Sequence, residues 1–252
     1  MLIQPTLDTL NRLKLHGMAF ALSEQMTHTV AQPLAFEERL ALLLEREVLH
    51  RESRRLTRLL QLAQFKERDA VLEDLDYRAR RGLDRSQLAS LASCEWIRAN
   101  QNLLIHGATG SGKTYLACAL AHQACRQGLS AQYVRAPRLF EELALCHADG
   151  TFRKRLIAFA KISVLIIDDF AIAPIGPRDR SDLLELLDDR VGTRSTILTS
   201  QLPIEDWHAY IGDPTLADAI LDRLLHRSHQ IHLQADESMR KREAAAKVKT
   251  KD

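Results

Sequence analysis

Residues 107–114 read Gly107-Ala108-Thr109-Gly110-Ser111-Gly112-Lys113-Thr114, and this stretch decides the fold of the chain. Its spacing, G-x-x-x-x-G-K-T, is typical of a loop that binds phosphate. An apolar run at 102–106 precedes the loop and a helical pattern from Tyr115 follows it, which is the context that the motif requires. Backbone amides and the helix N-terminus can surround a phosphate, Lys113 can reach the β- and γ-phosphates, and the Thr114 hydroxyl can ligate Mg²⁺. The sequence therefore predicts a nucleoside triphosphate site at residues 107–115.

Strand and helix patterns alternate from about residue 100 onward. The predicted strands are 102–107, 131–135, 162–168, 195–200 and 229–233. The predicted helices are 112–127, 137–159 with a break near Gly150, 178–191 and 214–226. This alternation predicts an α/β fold with a parallel five-stranded sheet flanked by helices, and it places the phosphate loop at the carboxyl edge of the sheet.

Residues 1–95 show no convincing strand, and apolar side chains recur there at helical spacing, as in Leu7, Leu10 and Leu13. We therefore expect a small all-α N-terminal domain at 1–95, which binds DNA or a partner, followed by the α/β domain at 96–252. Two basic clusters lie in the helical half: Arg46, Arg51, Arg54, Arg55 and Arg58, and then Arg78, Arg80, Arg81 and Arg85. A solvated helix face and a surface that contacts DNA fit these clusters equally well.

Composition limits the class of protein without naming a partner. The chain has 252 residues, 46% of them hydrophobic, and a formal net charge of +2, so any surface for nucleic acid must be local. The four cysteines form no C-x-x-C pair, which favours reduced, packing cysteines and a cytoplasmic protein. No apolar run approaches the roughly 18 residues that span a bilayer, so we expect no membrane partner.

The run Val164-Leu165-Ile166-Ile167-Asp168-Asp169 reads as a buried strand that ends in two carboxylates. After a phosphate loop, this pattern matches the Walker B element. Asp168 would hold Mg²⁺ through water, and Asp169 would orient and activate the attacking water. A helix cap or turn is the alternative interpretation of such an acidic pair, and it applies more to Asp169 than to Asp168.

Three further positions carry polar groups near the predicted site. The strand at 195–200 ends in Thr199, Ser200 and Gln201, which could sense the γ-phosphate from a neighbouring strand. Arg223 precedes the last strand and Arg240 follows it, and guanidinium groups stabilise charge in phosphoryl transfer. By position alone, both arginines fit ordinary surface ion pairs.

The ordered set of motifs resembles the AAA+ ATPases of the initiator and helicase-loader clade, and most of all the IstB-like helper ATPases of insertion sequences. The resemblance rests on the phosphate loop, on Ile166-Ile167-Asp168-Asp169-Phe170, Leu198-Thr199-Ser200-Gln201-Leu202-Pro203, Asp222-Arg223-Leu224, Glu237-Ser238-Met239-Arg240, and on Leu15-His16-Gly17-Met18-Ala19. It covers nearly the whole chain. It implies an AAA+ fold, ATP and Mg²⁺ as ligands, and hydrolysis of ATP that is weak until the protein assembles on DNA.

The resemblance also implies roles for single residues. Ser200 would be sensor I, Arg223 an arginine finger that acts on ATP in the neighbouring subunit, and Arg240 sensor II on a short C-terminal helix. Segment 136–161 resembles the helical insertion of initiator-type ATPases, whose basic residues touch DNA; here they are Arg153, Lys154 and Arg155. Trp96 and Ile97 would line the adenine pocket, although a plain core role fits them as well.

The implied function is an ATPase that oligomerises through its ATP sites, binds double-stranded DNA without reading sequence, and recruits and stimulates a transposase. A replicative helicase loader with the same ATPase core is the alternative, and a small-molecule P-loop kinase fits less well. A non-hydrolysing adaptor stays open as well, because Asp169 stands where many AAA+ proteins have Glu, and its side chain is one methylene shorter.

Overall fold

The computed structural model describes residues 3–27, 34–77 and 82–234. Its centre is one parallel sheet of five strands: β1 Asn102–Gly107, β2 Ala131–Arg135, β3 Val164–Phe170, β4 Ser195–Ser200 and β5 Ser228–Leu233. The strand order is β2-β3-β4-β1-β5, and all neighbouring pairs are parallel. Strands β1, β3 and β4 are buried almost throughout, because flanking helices cover the sheet, and this explains their continuous apolar runs. The predicted α/β fold is confirmed.

Eleven α-helices lie in the described residues. They are α1 Ile3–Arg12, α2 His16–Thr27, α3 Phe36–Ala63, α4 Arg85–Ala92, α5 Glu95–Arg98, α6 Lys113–Arg126, α7 Ala136–Asp149, α8 Phe152–Ala160, α9 Pro177–Asp188, α10 Trp207–Ile211 and α11 Pro214–Leu225. Short 3₁₀ turns occur at Leu72–Asp74 and Ile204–Asp206. The predicted break near Gly150 separates α7 from α8, where Gly150 has a left-handed φ of 75°. Helix α10 was not predicted. None of these helices combines the length and apolar character needed to cross a membrane.

The chain divides into two compact units, Met1–Arg58 and Leu59–Asp252. The unit that contains the sheet therefore begins well before the predicted boundary at residue 96. Packing explains the difference: Leu88 and Leu91 of α4 are buried, and Gln87 donates to the carbonyl of Gln230 on β5. Residues 59–95 thus extend the sheet-bearing unit, although their pattern is helical.

In the first unit, a close helix crossing explains the His16-Gly17-Met18 sequence. A Cβ at Gly17 would lie 2.6 Å from the carbonyl oxygen of Arg46 and 2.7 Å from the Cα of Glu47, so only glycine fits there. The backbone amides of Gly17 and Met18 donate to the buried carboxylate of Glu47, at 2.8 and 3.2 Å. Burial raises the pKa of Glu47, but the hydrogen bonds from Arg51, Met18 and Gly17 together lower it. Glu47 therefore caps α2 as a carboxylate.

Candidate functional site

The loop between β1 and α6 takes a backbone path that glycine permits. Gly110 and Gly112 have φ angles of 78° and 94°, in the left-handed region. Gly107 has φ 146°, and a Cβ there would lie 1.9 Å from the carbonyl oxygen of Leu233. The loop can therefore keep this shape only with glycine at the three positions.

The polar groups of the loop fit a phosphate ligand. Lys113 turns its ammonium inward and donates to the carbonyls of Gly107 and Ala108, at 2.7 and 2.8 Å. The Ser111 hydroxyl is buried without a hydrogen-bond partner among the described residues. An adjoining cleft of about 410 Å³ is lined by loop residues and by Tyr115. A phosphate in this cleft could accept from the Lys113 ammonium in place of these carbonyls.

Asp168 receives hydroxyl donors from three different elements. Its carboxylate is fully buried and accepts from the hydroxyls of Thr114 at 2.9 Å, Tyr133 at 2.6 Å and Thr199 at 2.5 Å. The hydroxyl of Thr114 and the carboxylate of Asp168 are oxygen donors of the kind that Mg²⁺ prefers, and here they touch. The predicted metal-binding pair is therefore brought together.

A bulge in β3 sends Asp169 to the same cleft. Successive residues of a regular strand point to opposite faces, but the pairing of β3 with β4 shifts register between Ile167 and Phe170, and Asp169 has φ 58°. The backbone amide of Asp169 donates to the Thr199 hydroxyl at 3.1 Å. The bulge thus re-aims Asp169, which lines the cleft beside Lys113.

Asp169 is held by an arginine that sequence analysis did not single out. The guanidinium Nε of Arg135 donates to Asp169 Oδ2 at 2.9 Å. Arg135 ends β2 and directly precedes α7, the first helix of the predicted insertion. In this conformation the predicted catalytic carboxylate is therefore ion-paired within its own chain.

The polar end of β4 differs from the prediction. Ser200 was expected at the phosphate, but its hydroxyl donates to the carbonyl of Phe170 and accepts the amide of Leu202. The residues on either side reach the site instead: Thr199 contacts Asp168, and the Gln201 side chain accepts from Thr109 of the loop at 2.6 Å. The alternation of side chains along a strand explains why Thr199 and Ser200 diverge.

Of the two predicted arginines, one is described. Arg223 forms an ion pair with Asp188 at the end of α9 and also donates to the carbonyl of Ala219. Its backbone carbonyl accepts from Asn102 at the start of β1, at the edge of the sheet opposite to the phosphate loop. Arg240, and the short C-terminal helix expected to carry it, lie outside the described residues.

Trp96 and Ile97 were expected at the adenine pocket, but the structure places them in the core. Both are 4% exposed on α5, and the Trp96 indole donates to the carbonyl of Leu91. Neither lines the described cleft. A large apolar residue just before a strand is buried by the helices that cover the sheet, which is the plain core role.

The predicted DNA-binding residues fall into three groups. Arg54, Arg58, Arg153 and Lys154 are exposed, as is Arg55, which has another intramolecular interaction. Arg51 pairs with the buried Glu47, and Arg155 pairs with Glu142 and lies over the ring of Phe159, so both stabilise the fold. Arg78, Arg80 and Arg81 lie outside the described residues.

Sequence reasoning missed Tyr133, Thr199 as a contact of Asp168, and Lys66. Burial and then the hydrogen bond to Asp168 raise the pKa of Tyr133, so its phenol stays protonated and donates. In the strand order β2 is the neighbour of β3. Once this order is known, Tyr133 of β2 can be expected to reach Asp168 of β3. No sequence signal marks Lys66, whose ammonium lies 3.8 Å from Asp168.

A family model described as "IstB-like ATP binding protein" matches residues 8–247. The chain belongs to the family of IstB-like ATP-binding proteins. The resemblance inferred from the ordered motifs is thereby confirmed, and ATP is the nucleotide that this family binds.

Relatives of the IstB-like chain carry names that refer to insertion sequences. An insertion sequence ATP-binding protein of Sinorhizobium fredii is 48% identical, over 96% of this chain and 98% of its own. The ATP-binding protein of insertion sequence IS1162 from Pseudomonas fluorescens is 54% identical, over 81% of this chain and 88% of its own.

Among solved structures, the IstB-like chain is similar to DnaI and to the DnaC helicase loader. DnaI gives a TM-score of 0.54 at 21% identity, covering 70% of this chain and 93% of its own. DnaC gives 0.53 at 18% identity, covering 66% and 97%. These likenesses show the AAA+ fold.

Proposed function

We propose that this IstB-like protein hydrolyses ATP, assembles through its ATP sites on double-stranded DNA, and there assists a transposase. One observation supports the ATPase part: Asp168 and Asp169 at the end of β3 meet Thr114 of the phosphate loop, although more than 50 residues separate them in the chain. The names of the relatives support a role in insertion sequences.

The chain's own residues supply positioning and charge for water attack on the γ-phosphate. Lys113 binds the phosphates, and Asp169 orients the attacking water and accepts its proton. Thr114 and Asp168 would hold Mg²⁺, which supplies neutralisation of the phosphate charge when bound. Tyr133 and Thr199 keep the Asp168 carboxylate in place by donating to it.

The ion pair between Arg135 and Asp169 explains why hydrolysis would be weak before assembly. The Oδ2 atom of Asp169 accepts from the Arg135 guanidinium, so in this conformation it is not available to orient a water molecule. Arg135 precedes α7, and α7 leads to α8 with the exposed Arg153 and Lys154. Contact of α8 with DNA would act on the same segment that holds Asp169.

A second subunit would complete the site. Arg223 lies at the opposite edge of its own sheet, so it cannot serve its own phosphate loop, and we propose that it acts on the neighbour. It must first leave Asp188. Arg227, which is exposed and lies four residues further on, is the alternative donor.

We propose that each unit contacts DNA by itself, the first through exposed arginines of α3 and the second through Arg153 and Lys154 of α8. Such side chains neutralise phosphates and bind without reading sequence. A helicase loader remains the second candidate, because the fold matches that of DnaC. The exposed arginines of the first unit favour DNA as its partner over a helicase.

The test is to image the protein on duplex DNA with ATP and without it, alongside Lys113→Ala. We expect ATP-dependent assemblies with the wild type and none with Lys113→Ala. Tight DNA binding by Lys113→Ala in the presence of ATP would show that ATP does not control assembly. A helicase loader would instead form a complex with a hexameric helicase, independently of duplex DNA.

Mixing two inactive variants tests action between subunits. Lys113→Ala cannot bind ATP productively, and Arg223→Ala cannot complete a neighbouring site. If Arg223 acts in the neighbour, mixed assemblies should recover part of the hydrolysis rate, because some interfaces contain both intact residues. Co-purification of differently tagged subunits verifies that mixed assemblies form. No recovery in such assemblies would contradict the role of Arg223, and the same mixture with Arg227→Ala tests the alternative.

A further inference from the structure

Lys66 lies at the nucleotide cleft although it belongs to the segment that follows α3. Its ammonium is 3.8 Å from Asp168 Oδ2, and its side chain is 36% exposed, whereas the carboxylate of Asp168 is fully buried. The hydroxyls that donate to this carboxylate are neutral. A buried carboxylate is costly unless an opposite charge compensates it, and Lys66 provides one.

The backbone at Lys66 is fixed from both sides. Phe65 and Ala70 are buried, and the backbone amides of Lys66 and Glu67 approach the thiol of Cys118 on α6. The backbone is thus held against the helix that follows the phosphate loop, and the four-carbon side chain is the flexible part of Lys66. A lysine of this kind can change partners within the cleft without any change of fold.

We propose that Lys66 is a counter-ion that exchanges partners: it pairs with Asp168 in the nucleotide-free site and donates to the triphosphate once Asp168 serves a divalent cation. This inference rests on the proposed binding of ATP with Mg²⁺ in this cleft. An ammonium and a divalent cation repel each other when both approach one carboxylate. Glu67 and Asp169 also line this cleft, but a bound triphosphate would carry more negative charge than either carboxylate, so Lys66 moves to the phosphates.

The exchange predicts effects of opposite sign for Lys66→Met, which keeps the length of the side chain and removes its charge. Without nucleotide, the variant should bind Mn²⁺ several-fold more tightly, because no ammonium competes at Asp168. With Mg²⁺, it should bind a fluorescent ATP analogue several-fold more weakly, because one donor to the phosphates is lost. Electron paramagnetic resonance measures free Mn²⁺, and fluorescence titration measures the nucleotide.

Controls separate this inference from the function on which it rests. Lys161→Met removes the same charge at an exposed position after α8 and should change neither affinity. Lys66→Gln, checked by circular dichroism, replaces Lys66→Met if that variant does not fold. Unchanged affinities, or a loss of both, would overturn the exchange. If the wild type binds the ATP analogue no better than Lys113→Ala does, the proposed function fails before Lys66 is in question.

Discussion

The carboxyl edge of the sheet and the helical unit at 1–58 use their side chains in opposite ways. At the sheet edge, Asp168, Thr199 and Ser200 are fully buried and hydrogen-bonded to one another or to the backbone. In the helical unit, Phe20 and Val48 remain more than half exposed, and Arg54 and Arg58 are exposed as well. This difference agrees with the proposed roles, because chemistry on a phosphate needs fixed geometry, whereas binding to the DNA backbone needs mainly positive charge.

Asp169→Asn should produce the largest effect, a loss of hydrolysis at the carboxyl edge of the sheet with no change in DNA binding. The substitution keeps the size of the side chain and removes the base, so the hydrolysis rate should fall by about 10²–10⁴-fold. Phosphate release measures the rate, and ATP and DNA affinities should not change. Asp206→Asn, at an exposed position, is the matched control. Hydrolysis at the wild-type rate would remove Asp169 from the mechanism.

The double variant Arg54→Ala and Arg58→Ala should show the reverse pattern. The logarithm of the affinity falls as the logarithm of the salt concentration rises, by about 0.9 for each phosphate contact. Loss of two contacts should therefore make this decline less steep by about 2. Titrations of a labelled duplex at several salt concentrations measure it. The double variant Arg178→Ala and Arg194→Ala removes the same charge elsewhere. An equal effect of both pairs would mean that net charge, not this surface, determines binding.

Arg135→Ala tests whether DNA contact at α8 reaches the carboxyl edge of the sheet through the ion pair at Asp169. An ion pair with a part-exposed arginine contributes about 0.2–1 kcal/mol, so hydrolysis without DNA should rise by about 1.4- to fivefold. Stimulation by DNA should shrink accordingly, while Arg135→Lys should stay close to the wild type. Hydrolysis is measured with and without duplex. A DNA-free rate at or below that of the wild type would show that the ion pair does not restrain Asp169.

Acid should lower the folding stability of the two regions in different pH ranges. We expect this effect to be the smallest. Burial, then the neighbouring His232 and Lys113, lower the pKa of His106 below 6.5, so the folded state binds fewer protons than the unfolded state and stability falls as pH drops below 6.5. Glu47, with its pKa below 4.5, weakens the helical unit only as pH drops below 4.5. Urea unfolding of His106→Gln at pH 7 and pH 5.5 should show a smaller loss than the wild type. If both proteins lose the same stability between pH 7 and pH 5.5, groups other than His106 cause the loss.

The sequence alone locates the parts of the site in which a fixed residue spacing goes together with a specific chemical group. The phosphate loop and Asp168 follow from their motifs, because a fixed spacing on a strand and a helix implies a fixed position in space. The five strands were located within two residues, since buried parallel strands read as apolar runs. The role of Asp169 stays a prediction. Its position next to Asp168 in the sequence does not reveal the bulge that turns its side chain toward the cleft.

The remaining parts depend on contacts between distant segments. Ser200 was favoured over Thr199 because the resemblance supplied the position, whereas the register between β3 and β4 decides which hydroxyl reaches Asp168. Trp96 looked available for a ligand because its sequence position does not reveal the carbonyl of Leu91 that its indole binds. Lys66 and Arg135 were missed for the same reason, as their partners lie far away in the sequence.

Because Gly107 packs against the carbonyl of Leu233, a spectroscopic label at the end of β5 can detect changes in the phosphate loop. A shift of the loop toward β5 would displace that carbonyl, because the gap leaves no room even for a methyl group. An isotope label in the Leu233–Gln234 peptide group would therefore register nucleotide binding as a resonance change, although this peptide group belongs to neither the loop nor the Walker B strand. Nucleotide occupancy could then be followed without attaching a dye.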